Sequence, residues 1–123
     1  MLPVVWQKNN QNNEWFDFLR LNLDASYFQG KRGVFAIWYQ STLPKVIKVG
    51  SGNIGEQLKT LRLNPAILQY AENGPLKVSW VVANGILKDE DIAGAEAYLH
   101  DIYNPLVGER NPAQQVEIKH IQK

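Results

Sequence analysis

The sequence predicts a single α+β domain, residues 1–123, in which helices flank a small, mainly antiparallel sheet of three strands. Three features carry that prediction. The apolar run Gly33–Tyr39 and the shorter run Lys45–Val49 are separated by Ser41-Thr42-Leu43-Pro44, the pattern of two strands joined by a turn. Gly50-Ser51-Gly52-Asn53 follows at once and opens a segment of helical period; a glycine-rich exit of this kind lets a backbone or ligand come close. Further on, Val78, Trp80 and Val82 alternate with Lys77 and Ser79, which reads as a third strand. At 14.0 kDa and 45% hydrophobic residues the chain is large enough to bury one core, and no internal repeat or low-complexity linker divides it.

Residues 1–30 read as an N-terminal extension packed on the core. Val4-Val5-Trp6 is a short apolar piece, and the tract Gln7–Asn13 is too polar to pack, so it reads as a surface loop. Glu14–Leu23 is dense in apolar residues but ambiguous in period. Trp15, Phe18, Leu19 and Asn22 fit a helical turn, while Leu19, Leu21 and Leu23 alternate like a strand; the expectation is a short helix turning extended near Leu21. Gly30–Gly33 then punctuates the start of the core, residues 31–110. Within it, Asn53 N-caps a helix over Ile54–Leu63 whose apolar stripe is Ile54, Leu58 and Leu61. Asn64-Pro65 ends that helix and starts another, since proline suits a first helical position. Asn73-Gly74-Pro75 is a stop before the third strand, Leu76–Ala83. Asp89 caps a last helix running to about Tyr103, which Asn104-Pro105 terminates. In the tail, residues 111–123, Val116, Ile118 and His120 alternate, giving an edge strand or a loose end over Gln114–Lys123.

Composition removes several chemistries. With no cysteine, disulfide frameworks, thiolate nucleophiles and cysteine-based zinc sites are excluded. The N-terminus has no apolar stretch long enough for a signal peptide, and no segment is long enough to span a bilayer, so the expectation is a soluble cytoplasmic protein without a membrane partner. Net charge is only +1, but it is polarised. Lys45, Lys48, Lys59 and Arg62 against Glu56 leave +3 across residues 45–62, whereas Asp89, Glu90, Asp91, Glu96 and Asp101 leave −5 across 89–101. Two solvated helix faces explain this pattern; a basic nucleic-acid track of Lys45, Lys48, Lys59 and Arg62 beside an acidic helix is the sharper alternative. Trp6, Trp15, Trp38 and Trp80 divide in the same way between core packing and base stacking, with packing the commoner use.

Gly33-Val34-Phe35 on the first strand, Lys48-Val49-Gly50 on the second, the helix after it, Glu96 in Ala95-Glu96-Ala97-Tyr98-Leu99 and Asn104 in Asn104-Pro105-Leu106-Val107-Gly108 together resemble the GIY-YIG nuclease superfamily over roughly residues 30–110. The resemblance implies a scaffold on which such nucleases cleave a phosphodiester with one divalent metal, Mg²⁺ or Mn²⁺, held here by Glu96. A first-strand tyrosine helps activate water and a first-helix arginine steadies the phosphate. A metal supplies Lewis acidity, and a cation offsets charge developing on phosphoryl oxygens. The equivalent positions are Phe35, Lys48, Gln57, Glu96 and Asn104, and three of them depart from the pattern. Phe35 has no hydroxyl to relay a proton, Lys48 replaces the second tyrosine, and Gln57 brings an amide without charge. Glu96 lies at the edge of its helix's apolar stripe, where a carboxylate is costly unless paired, hydrated or metal-bound. His100, one turn on, can join it as a metal ligand in principle, although a solvated histidine favouring the helix C-terminus is the commoner use. Asn104 before Pro105 is also an ordinary helix-ending signal.

Three functions stay open on these residues. The first is a GIY-YIG-like domain that has lost nuclease activity and acts as a nucleic-acid-binding or interaction module, with DNA as partner. The second is a still-active metal-dependent DNA endonuclease with an altered site, in which Tyr39 or Tyr27 supplies a hydroxyl. The third is a protein-interaction domain, with a protein partner or homodimer and no nucleic-acid role, which the near-neutral charge favours.

Overall fold

The computed structural model describes residues 1–121, and its organising element is strand β2, Arg32–Tyr39. This strand reads as a continuous apolar run because both of its faces are covered. Val34, Ala36 and Trp38 point into one core, and Phe35 and Ile37 into another, with all five fully buried. On one side β2 pairs antiparallel with β3, Lys45–Asn53, and on the other with β4, Leu76–Val82. A bulge between Ile37 and Trp38 leaves Ile47 unmatched, so β3 carries one extra residue at its start.

The sheet has four strands rather than three. The additional one, β1, is the two-residue Phe16–Asp17, which pairs antiparallel with Val78 and Lys77 and gives the order β1-β4-β2-β3. Here the sequence predicts a helical turn, and the difference has a tertiary cause. The outer edge of β4 presents backbone groups that Phe16–Asp17 and the Phe18 amide satisfy, and the Phe16 ring stacks on Trp80 at a centroid distance of 5.0 Å. The chain turns only afterwards, where the Arg20 and Leu21 amides donate to the Asp17 carbonyl.

Helices α1, Ile54–Leu61, and α2, Pro65–Leu68, lie on the Phe35 side of the sheet, and α3, Ile92–Tyr103, on the Val34 side. The Asn53 side chain caps α1 as predicted, accepting from the Glu56 amide at 3.1 Å. α1 stops at Leu61, two residues short of the expected end, and Asn64 then caps α2 by accepting from the Ala66 amide at 2.9 Å. α3 also begins later than expected. Asp89–Asp91 form a 3₁₀ turn, and Asp89 does not cap α3 because its carboxylate is drawn to Arg32 at 2.7 Å.

The N-terminal extension serves both faces: Val4 and Trp6 join the α3-side core, while Phe18, Leu23 and Phe28 join the α1-side core. Three of the four tryptophans, Trp6, Trp38 and Trp80, are buried, and Trp15 packs edge-on to Trp38. The tail forms no edge strand among the described residues. Ile118 makes an isolated parallel bridge to Leu2, and the Trp6 indole donates to the Lys119 carbonyl at 2.9 Å, so the two ends of the chain close over α3 together. Gln122 and Lys123, the last residues of the expected strand, lie outside the described residues. No helix among the described residues is long and apolar enough to cross a membrane.

Candidate functional site

The hairpin and α1 determine where the predicted site residues go. Phe35 pairs across the ladder with Gly50, and its ring lies directly over that glycine, so a Cβ there would collide with the ring. The requirement for Gly50 is thus one of packing, and Phe35 is sealed in the α1-side core with Ile54 and Leu58. Lys48 pairs with Ile37, is half-buried, and brings its ammonium beside Gly108. The chain is held there because the Leu106 and Val107 amides donate to the Val46 and Ile47 carbonyls on the outer edge of β3. Gln57 is exposed on α1 near Gly52, in a surface groove of about 450 Å³ that also includes Arg32, Glu56 and Thr60.

Glu96 belongs to the other side of the sheet. Ser51 pairs with Val34, whose side chain enters the α3-side core, so the Ser51 hydroxyl points toward α3 and donates to Glu96 Oε1 at 2.6 Å. This short, charge-assisted bond answers the cost of half-burying the carboxylate. Sequence reading did not single out Ser51. The available signal was strand alternation, since a residue adjacent to Gly50 must face away from Phe35. His100 Nε2 lies 3.4 Å from the Gly108 carbonyl oxygen, and no group of three or more His, Asp or Glu side chains converges as a metal centre among the described residues. The donor set therefore does not fit a protein-held cage: Glu96 would have to hold Mg²⁺ or Mn²⁺ largely through water and substrate oxygens. Asn104 is exposed with φ 48° at the end of α3, a left-handed geometry that asparagine tolerates, and its amide donates to the His100 carbonyl at 2.9 Å.

The four cations of residues 45–62 do not form one free surface. The Arg62 guanidinium donates from Nε to the Phe18 carbonyl at 2.9 Å, and from its second nitrogen to both the Phe18 and Leu21 carbonyls. Burial pushes its pKa below the usual guanidinium value. Lys59 pairs with Asp24 at 2.6 Å, and this hydrogen bond and charge hold the Asp24 carboxyl below the usual range. Lys45 and Lys48 make no ion pair among the described residues. A second pair of cations, Lys31 and Arg32, stands at the start of β2, beside the exposed Tyr27. Comparison with family models, curated proteins and solved structures returned no match for this chain.

Proposed function

We propose that the chain is a GIY-YIG-like scaffold without a working hydrolytic centre, acting as a nucleic-acid-binding module with DNA as its partner. One observation carries the reading: Phe35 and Glu96 belong to opposite sides of the sheet. The strand position where the resemblance expects a proton-relaying hydroxyl is a buried phenyl ring, and the carboxylate expected to hold metal is engaged by Ser51. Gln57 supplies an amide at the surface, without the charge that would stabilise a transferring phosphate. The scaffold side of the reading is supported by the order of hairpin, capped helix and later Glu96 helix, and by the ring of Phe35 resting on Gly50. A fold likeness alone does not confer activity; the site has to support it.

The test is incubation of the protein with plasmid, branched and single-stranded DNA in Mg²⁺ or Mn²⁺, with binding and strand scission followed on the same samples. Salt-sensitive binding without scission is expected. Metal-dependent cleavage that disappears in Glu96→Ala, with that variant still folded, overturns the reading in favour of an active endonuclease. Failure to bind any of these DNAs, with a stable homodimer in solution, overturns it in favour of a protein-interaction domain.

A further inference from the structure

The strongest unassigned feature lies at the end of the sheet where β2 begins and β4 finishes. A groove of about 420 Å³, lined by Phe16, Tyr27, Trp80 and the amides of Gln7, Asn10 and Asn22, adjoins one of about 550 Å³ that runs past Tyr27 to Lys31, Arg32 and Asn84. Tyr27 and Gln7 belong to both, so the two form one trough. Tyr27 is 43% exposed, yet it is held firmly. Its hydroxyl accepts from the buried Trp80 indole at 3.0 Å, and its ring packs edge-on to Phe28 at 5.0 Å. An exposed aromatic ring fixed in place in this way is a pre-ordered stacking surface.

The rest of the trough is chemically sorted around that ring. On one side Gln7, Asn10 and Gln11 bring side-chain amides that both donate and accept hydrogen bonds, as the edge of a nucleobase requires, and Asn22, whose Oδ1 accepts from the Asp24 amide, adds a donor. On the other side the Lys31 ammonium lies over the Tyr27 ring, 5.4 Å from its centre, a place a stacked base would take as this flexible side chain moves to the phosphate, and Arg32 follows in sequence. Arg32 is paired with Asp89 at 2.7 Å, but both side chains are more than half exposed, 51% and 64%, so the pair is weak and open to exchange for a phosphate.

We infer that this trough binds a single-stranded nucleic acid, with one base stacked on Tyr27, its edge read by the Gln7–Asn22 amides, and a backbone phosphate on Arg32 and Lys31. The assignment rests on the binding-module reading above and gives it a ligand form and a surface, distinct from Lys45 and Lys48. A neutral sugar would use the ring but leave both cations idle.

The experiment titrates the full chain with fluorescently labelled oligothymidylate and oligouridylate, a duplex of equal length and thymidine monophosphate, at several salt concentrations. The single strands should bind more tightly than the duplex and the mononucleotide. Tyr27→Ala should weaken single-strand binding about tenfold while Tyr27→Phe, which keeps the ring, retains it. Arg32→Gln should also weaken binding, and lower the slope of log K against log salt by about 0.7, the share of one phosphate contact. Asp89→Asn should tighten binding by freeing Arg32. Arg32 and Asp89 are exposed, so their variants keep the test sound if Tyr27→Ala fails to fold. Unchanged binding in the Tyr27, Arg32 and Asp89 variants, with loss in Lys45→Gln or Lys48→Gln, overturns the trough and leaves the module reading intact. Preference for duplex likewise overturns the trough alone. Failure of every nucleic acid to bind overturns both.

Discussion

Arg62→Ala tests most directly whether a cation that looks available in the sequence is spent inside the fold. Its guanidinium spans from the end of α1 to the irregular N-terminal segment, satisfying the carbonyls of Phe18 and Leu21, with its carbon centre 5.8 Å from the Phe18 ring. A hydrogen bond to a charged group is worth about 1.5–3 kcal/mol, and the two Arg62 donors to Phe18 share one acceptor, so two satisfied carbonyls are the safer count. That gives roughly 3–6 kcal/mol before the cost of desolvating the guanidinium, whose lowered pKa reports the same burial. A net loss of about 3 kcal/mol is expected, or a fall in melting temperature on the order of 10 °C for a domain of this size. Arg62→Lys should recover less than half, because one ammonium cannot reproduce the planar fork. The assay is urea unfolding alongside a calorimetric melt, with DNA affinity measured well below the transition. A loss under about 1 kcal/mol, combined with weaker DNA binding and a shallower salt slope, would refute the structural role and restore Arg62 to a nucleic-acid surface.

Gly94→Ala should destabilise by about 1–3 kcal/mol, since the added Cβ would meet the Gln114 carbonyl oxygen and Val116 Cγ2 at 2.6 Å; faster amide exchange at Val116, whose amide donates to the Gly94 carbonyl, is the local readout. Burial pushes the Tyr103 phenol up to about 12 from its ordinary value of 10.0, so the neutral form is favoured in the folded chain. Stability from this group is fully present below pH 10.0 and lost as pH rises toward about 12, because the unfolded phenol ionises first. Tyr103→Phe should flatten that alkaline limb in pH-dependent unfolding, while leaving the Ile121 amide without the hydroxyl it donates to. Ser51→Ala should cost about 1–2 kcal/mol by leaving the half-buried Glu96 carboxylate without its hydroxyl donor, and a double-mutant cycle with Glu96→Ala, which removes the acceptor, should recover most of that as coupling.

Local patterns in the chain predicted the elements that local forces govern. The β2–β3 hairpin, β4, the Asn53 cap and the stop at Asn104-Pro105 all follow from alternation, side-chain capping and proline sterics, which act over a few residues. Phe16–Asp17 escaped because its strand state depends on the edge of β4, some 60 residues away in sequence. Asp89 escaped for a similar reason: a good capping residue was drawn to Arg32, which no short window contains.

The candidate site divides along the same line. The sequence alone determined the inventory: Phe35 without a hydroxyl, Gln57 without a charge, Glu96 as an acidic side chain on a mostly buried helix, and the absence of cysteine. It also placed Phe35 and Gly50 on adjacent strands, although the bulge between Ile37 and Trp38, which no turn signal specifies, sets the register that pairs them. Only the tertiary structure decided which face of the sheet each group serves, that Ser51 meets Glu96, that Arg62 is bound to carbonyls, and that Tyr27 is anchored to Trp80 beside Lys31. Spacing along a chain constrains geometry over a turn or two, while the meeting of groups 40 to 60 residues apart is decided by how the helices and the N-terminal extension pack on the two sides of the sheet.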